Sequence, residues 1–346
     1  MSEPRAAINT PTRASSGLCE ALFRCQPTCS LSGYNFYVIP TATNMIEKAR
    51  EPMRIRLFAT CVVNKTRLVA LDRMLRSLEA AERNLRGRAE LQLSLMLQCL
   101  RQEDIRSIPF PIPGFVTIIF VENMIPLSTA RNRLLEAASR AQPFDNNSLV
   151  GFPDDDCWYP EGVLETIVNG FDKDPVLDFW FCRYSSSPEL ITWTDFAQER
   201  RATMRHLVRN ASSITIFLRG SLLAALGGFD ESLGLGTSNP GAEDIDLAIA
   251  GLIKANRCYF LDKALIGHMD KSRNRQNRGR NLQSSLVVLA RYSCKGTLWE
   301  LVRKIMIGVY FCVRGEMPVR QFLSALRVVF NICNANRTGV RTTAIG

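Results

Sequence analysis

The chain is short of the residues that many compact active sites depend on. It has two histidines, His206 and His268, among 346 residues. Its eleven cysteines form no C-x-x-C pair, and Cys19, Cys25 and Cys29, which do cluster, have no histidine beside them. A Cys/His zinc centre is therefore not the organising feature, and an odd set of scattered thiols fits a reducing compartment better than a disulfide scaffold. No apolar run approaches the roughly 18 residues a membrane span needs. The run from Ile305 to Val313 near the end is too short. The first residues lack the basic-then-apolar order of a secretory signal. These absences place the protein in the cytoplasm as an expectation.

Acidic residues are scarce in one region only. Residues 271–346 carry fourteen basic and two acidic side chains, a net +12, whereas 1–53 carry +1 and 54–270 carry −3. So basic a tail suits an anionic surface, and peripheral contact with an anionic membrane face is expected of it. Plain surface charge for solubility is the simpler alternative. Nucleic acid is not expected as a partner, because the run Lys271 to Arg280 holds five basic residues and no aromatic to interleave with them.

With 46% apolar and 22% charged residues there is ample material for a core. Residues 1–53 show no sustained period and read as a disordered extension. Met53 stands directly before the first strong strand, so the native product is expected to begin there. From 54 to 270 the pattern alternates. Ile55 to Val63 reads as a buried strand, and Arg67 to Leu85 as a helix after the turn Asn64-Lys65-Thr66. Leu91 to Leu97 and Phe115 to Val121 read as strands, and Ser128 to about Arg140 as a helix capped by Ser or Thr. A strand at 149–152 and a helix at 161–171 follow. A mixed aromatic stretch spans 176–218 and includes Trp180 and Trp193. A helix from Ala242 to about Ala255 and a last core strand over 265–270 complete the series. Strand–helix alternation implies a mostly parallel α/β sheet flanked by helices. Residues 271–346 form a basic helical extension. In it Leu298, Leu301, Val302, Ile305 and Val309 share one helix face, and Phe322, Ala325, Leu326, Val329 and Phe330 share another.

The stretch that organises the rest is Leu149 to Pro160. A short apolar strand ends in Asp154-Asp155-Asp156, followed by Cys157-Trp158-Tyr159. Carboxylates just past a strand's carboxyl end occupy the place where open α/β sheets bind ligands. Two like charges 4 Å apart repel by about 1 kcal/mol in water and about 4 kcal/mol at an effective dielectric near 20. A cation among them relieves that cost, and hard oxygen donors in this number suit Mg or Mn. A solvated acidic turn is the alternative.

Four elements stand in order: Ser128-Thr129-Ala130-Arg131-Asn132, the Asp triplet, Gly227-Gly228-Phe229-Asp230-Glu231 with Glu243-Asp244-Ile245-Asp246-Leu247, and His268. The ordered set resembles glycosyltransferase family 2, over about 54–270. That resemblance implies a GT-A, Rossmann-like fold and transfer of a sugar from a nucleotide-diphosphate sugar to a saccharide or lipid-linked hydroxyl, with inversion, in polysaccharide biosynthesis. It implies Asp154, Asp156 and His268 as metal ligands for Mn²⁺ or Mg²⁺, and Arg131, Asn132, Asp154 and Asp155 as nucleotide-sugar contacts. Asp244 is implied as the base that deprotonates the acceptor, with Glu243, Asp246, Gly236 and Trp158 around the acceptor. A base facing the attacking hydroxyl and a cation on the departing diphosphate are what this displacement requires. One feature departs from the family pattern. No acid directly follows the strand Leu91–Leu97, and Glu103 or Asp104 is left to contact the nucleoside, so UDP is the default and dTDP and GDP stay open.

Read singly, these residues have ordinary explanations. Glu243 and Asp244 serve as first-turn helix acids, and His268 as a satisfied core histidine. Two other function classes are weighed. A nucleotidyltransferase of related fold would want a Gly-rich, lysine-bearing loop after the first strand, where Asn64-Lys65-Thr66 has no glycine. A catalytically inactive basic nucleic-acid-binding module would not need the carboxylates to converge.

Overall fold

The computed structural model describes residues 51–85, 87–191, 199–269 and 275–338, and all of them belong to one compact unit. The expected disordered extension, its three cysteines, Trp193 and the start of the basic run at 271–274 lie outside the described residues. Met53, read as a start site, is the first residue of strand β1 (Met53–Val62).

β1 is buried on both faces, as a central parallel strand must be. It pairs in parallel with β2 (Ala89–Gln98) and β4 (Ser148–Gly151), and β2 pairs in parallel with β3 (Val116–Val121). Helix α1 (Lys65–Leu85) starts where the Asn64 side chain accepts a hydrogen bond from the Arg67 amide at 2.9 Å. The three residues read as a turn are thus a helix cap and its first turn. Helix α2 (Leu127–Ala141) begins one residue before Ser128, and Pro126 occupies the cap position. The Ser128 hydroxyl does not cap this helix. It is buried and donates to the Leu233 carbonyl at 2.7 Å, tying the helix start to a distant loop.

Beyond β4 the chain adds β5 (Cys157–Trp158), α3 (Val163–Lys173), β6 (Leu177–Ser185), β7 (Arg200–Arg201), α4 (Met204–Asn210), β8 (Ile216–Arg219) and α5 (Gly220–Leu226). Helix α6 (Glu243–Lys254) and β9 (Arg257–His268) follow. The sheet order is β3-β2-β1-β4-β8-β6-β9-β5, with β7 on β9. The stretch read as a separate strand at 265–270 is the end of the twelve-residue β9. β8 runs antiparallel to both β4 and β6, while β6 and β9 are parallel. Two reversals restore the direction, so the carboxyl end of β9 lies on the same sheet edge as those of β1, β2 and β4. His268 arrives at the edge where the Asp triplet leaves.

Two apolar cores cover the two faces. One gathers α1, α3 and strand residues such as Leu57, Leu93 and Leu149. The other gathers α2, α5 and α6 together with three C-terminal helices, α7 (Arg275–Arg291), α8 (Leu298–Val313) and α9 (Val319–Thr338). The sequence suggests only two helices there, because α7 opens inside the basic run. Its second half supplies Leu286, Val288, Leu289 and Ala290, all fully buried. On α9, Phe322, Ala325 and Val329 face inward as expected, whereas Phe330 is exposed. On α8 the expected face divides: Leu301 is buried and Ile305 half-buried, but Leu298, Val302 and Val309 lie in solvent.

Candidate active site

After β4 the chain turns through Phe152 and Pro153 and presents three acids that go separate ways. Asp154 and Asp156 converge on His268. The imidazole Nε2 is 3.1 Å from Asp156 Oδ1 and 4.0 Å from Asp154 Oδ2, and the three ligand atoms all lie within 4.8 Å of one another. Backbone pairing sets this arrangement. β5 runs antiparallel to β9 with Cys157 opposite His268, so the residue after Asp156 is locked to the histidine. The imidazole Nδ1 donates to the Met269 carbonyl at 2.6 Å. A carbonyl only accepts, so the proton sits on Nδ1 and Nε2 is directed at the carboxylates. A histidine fixed in this way through its other nitrogen is the usual form of a metal ligand.

Asp155 turns inward. It is buried and takes a 2.8 Å bond from Arg67, which also reaches Asp156 Oδ2 at 3.0 Å. Burial pushes the Asp155 carboxyl up to about 6, against a hydrogen bond from Cys61 and the charge of Arg67. The Arg67 guanidinium sits in the first turn of α1. Arg73, two turns of α1 further on, donates to the Asp156 carbonyl at 2.7 Å and lies 4.1 Å over the Trp158 ring. That ring rests on Gly267, where a Cβ would come within 2.0 Å of it, so only glycine fits there. Neither arginine stands out in the sequence, because arginines are common along α1 and nothing in the pattern separates these two.

Arg131 is the side chain that joins the two acidic groups. It is fully buried, donates to Asp154 Oδ1 at 3.0 Å, and stands 3.7 Å from Glu243 Oε1. Its guanidinium lies 5.1 Å over the Phe229 ring. Glu243 opens α6 after Ala242, which is held at φ 66°, a left-handed conformation rare for alanine. Burial, and then the neighbouring Asp244, push the Glu243 carboxyl up to about 7, with Arg131 opposing. Glu243 Oε2 and Arg131 Nη1 are buried and have no hydrogen-bond partner. Asp244 is half-exposed in the first turn, and its Oδ1 accepts from the Ile245 amide at 2.8 Å. Asp246 points elsewhere, toward Arg291 of α7 at 3.8 Å, and burial raises its carboxyl to about 6. The same arginine bonds Asp230, so α7 fastens the Gly-Gly-Phe-Asp-Glu turn to α6.

Asn132 acts as a clamp. Its amide donates to the Phe229 carbonyl and to Glu231 Oε1, both at 2.9 Å, and accepts from the Phe229 amide at 2.8 Å. A Cβ at Gly228 would stand 2.6 Å from Asn132 Oδ1, which explains that glycine. Gly236, at φ 91°, belongs to a loop bonded back to α2 through the Leu127 amide and the Leu235 carbonyl at 2.9 Å. At the end of β2, Gln98 is buried and accepts from the Ile125 amide at 2.8 Å, while Glu103 and Asp104 stand exposed on a short 3₁₀ turn. The donor set of two carboxylates and one imidazole, with the imidazole tautomer fixed, fits a hard divalent cation such as Mn²⁺ or Mg²⁺.

No protein-family model matches the chain, and no curated protein matches it by sequence. Solved structures do resemble it. It is similar to residues 1–349 of S. aureus TarS with a TM-score of 0.55 and 15% identity over 83% of each chain. The likeness to a longer S. aureus TarS structure has the same TM-score and identity and covers 83% of this chain and 50% of that one. At this identity the likeness establishes the fold. It is the GT-A, Rossmann-like arrangement.

Proposed function

We propose that the chain is a divalent-cation-dependent glycosyltransferase that moves a sugar from a nucleotide-diphosphate donor to a hydroxyl, with inversion. The observation that carries the reading is the convergence of Asp154, Asp156 and His268 at the carboxyl edge of the sheet. Its coupling through Arg131 to the acids that open α6 adds to it. The GT-A arrangement shared with TarS supports the same class.

In this reading Asp154, Asp156 and His268 hold Mn²⁺ or Mg²⁺. The ion, when bound, neutralises charge that develops on the departing diphosphate, a contribution of several kcal/mol. The remaining work falls to the chain itself. Asp244, half-exposed where α6 begins, accepts the proton of the attacking hydroxyl. Glu243 stays buried behind it, its carboxyl pushed up to about 7 by burial. Arg131 holds Asp154 in position, and Asp155 does the same for Arg67, so both support the donor site without needing to touch the nucleotide. Asn132 fixes the turn that carries Asp230. Direct attack from the Asp244 side inverts the anomeric centre. Trp158 and the loop carrying Gly236 border the acceptor, a saccharide or lipid-linked saccharide of polysaccharide biosynthesis. UDP is the expected donor nucleotide.

A thermal-shift panel of UDP, dTDP, GDP and ADP, each with and without Mn²⁺, tests this on the wild type and on Asp154→Ala/Asp156→Ala. The expected result is stabilisation by one nucleotide that needs both the ion and the two aspartates. Equal stabilisation in the double variant, or none that depends on the ion, overturns the reading.

A further inference from the structure

Helix α8 is apolar on the side it buries and equally apolar on the side it shows to solvent. Trp299, Val302, Met306, Val309, Tyr310 and Val313 recur at steps of three and four, so they fall on one face. All six are exposed, from 41% at Val309 to 72% at Trp299 and 81% at Val313. Of the charged residues of the helix, Glu300 and Lys304 lie on other sides, and Arg303, one heptad before Tyr310, borders the stripe with its guanidinium turned to Glu300. An exposed apolar face of this length is unusual on a protein that functions alone in water.

The charges around it are of one sign. Among the described residues from 279 to 336 there are two acids, Glu300 and Glu316. Glu300 is buried between Arg209 and Arg303, and the Glu316 side chain, 8% exposed, pairs with Arg314 at 3.2 Å. Lys295, Arg314, Arg320 and Arg327 all face solvent. On α9, exposed Val319, Leu323 and Phe330 form a second short apolar row, with Arg320 and Arg327 on the adjoining face.

We infer that α8 lies in the headgroup layer of an anionic lipid bilayer and docks the chain there by its outer face. Three features select lipid over other occupants. Trp and Tyr on the stripe are the side chains that settle at a membrane–water interface, and the basic rim complements anionic headgroups. The helix has sixteen residues, about 24 Å, and no helix among the described residues is long and apolar enough to cross a membrane, so it rests on the surface. A second copy of the chain fits less well. A two-fold contact would set one basic rim against another, and the stripe covers barely two heptads where a coiled coil needs about three or four.

The test uses the full chain without nucleotide or metal, so its outcome is independent of the catalytic reading. Sedimentation with vesicles of equal parts phosphatidylglycerol and phosphatidylcholine, at low salt, should carry the protein down. Pure phosphatidylcholine should carry much less. Met306→Glu/Val313→Glu should weaken partition by about tenfold or more, and Arg320→Glu/Arg327→Glu should weaken it and flatten its salt dependence. Both positions of the first pair are exposed, so the melting temperature should hold. Should that variant nevertheless misfold, Trp299→Ser/Val309→Ser gives the same reading. Absence of wild-type binding to the anionic vesicles, or equal binding by the glutamate variant, overturns the inference. A dimer in light scattering that the same variant disperses assigns the face to a second copy and also overturns it.

Discussion

Two acidic groups of three, Asp154-Asp155-Asp156 and Glu243-Asp244 with Asp246, are alike in the sequence and unlike in the fold. In the first, alternate residues converge on His268 and the middle one is taken inward by Arg67. In the second, helical geometry spreads the side chains. Glu243 goes to Arg131, Asp246 goes to Arg291, and Asp244 is left half-exposed at the helix start. The Asp triplet lies in a turn closed by the Cys157 amide donating to the Asp154 carbonyl at 3.2 Å, and there the first and third side chains converge, whereas the first turn of a helix splays residues i and i+2 by about 200°. The same composition therefore makes a converging pair in one place and a single outward carboxylate in the other. In both groups the inward acids carry raised pKa values, near 6 for Asp155 and Asp246 and near 7 for Glu243.

Substitutions separate the two groups. The largest effect is expected of Asp154→Ala/Asp156→Ala. Loss of the chelating pair should lower sugar transfer about 10³-fold or more and remove the ion-dependent nucleotide stabilisation. Asp155→Asn should keep that stabilisation, and an equal loss there would erase the distinction between the middle acid and its neighbours. Asp244→Asn should lower transfer by about 10²–10⁴-fold while leaving the ion-dependent thermal shift in place. A fall in both readouts would show that the second group also serves the cation.

Arg131→Met tests the link between the groups. It leaves Asp154 and Glu243 facing each other without their cation, so the folded state should lose about 3–5 kcal/mol in denaturant titration. Mn²⁺ should restore part of that loss through Asp154.

The smallest effect concerns pH. A carboxyl whose folded pKa is raised holds its proton in the folded chain after the unfolded chain has released it. Its contribution therefore favours folding at the acid end and is lost as pH rises between the unfolded and folded values. For Asp246 that window runs from 3.8 to about 6. Asp246→Asn should flatten the fall in folding stability across it, by at most about 3 kcal/mol at the neutral end, as read by denaturant titration at each pH. An unchanged slope would mean that Arg291 compensates fully.

Much of this was legible in order along the chain. Period-two and apolar runs located β1, β2, β3 and β4, and period-3.6 runs located α1, α3 and α6, because each of these buries one clear face or two. The Asp triplet, Arg131, Asn132 and His268 were legible as an ordered set. Asn132 proved to be a turn clamp, and Ser128 bonded a distant carbonyl instead of capping its helix. Helix α7 was not legible, since a run rich in arginine and asparagine reads as a linker until its apolar half finds a core. Arg67, Arg73 and Arg291 were not legible either, because an arginine's role is set by the carboxylate or ring it meets.

The sequence by itself determined most of the elements of the sheet and its flanking helices and their order, since propensity, capping and hydrophobic period act over a few residues. Only the tertiary structure decided which acids meet. The pairing of Cys157 with His268 brings together segments far apart in the chain, and no local rule contains it. It also decided which side of α8 is buried, because a helix with apolar residues on two sides carries no local signal for its inner face until its neighbours are in place.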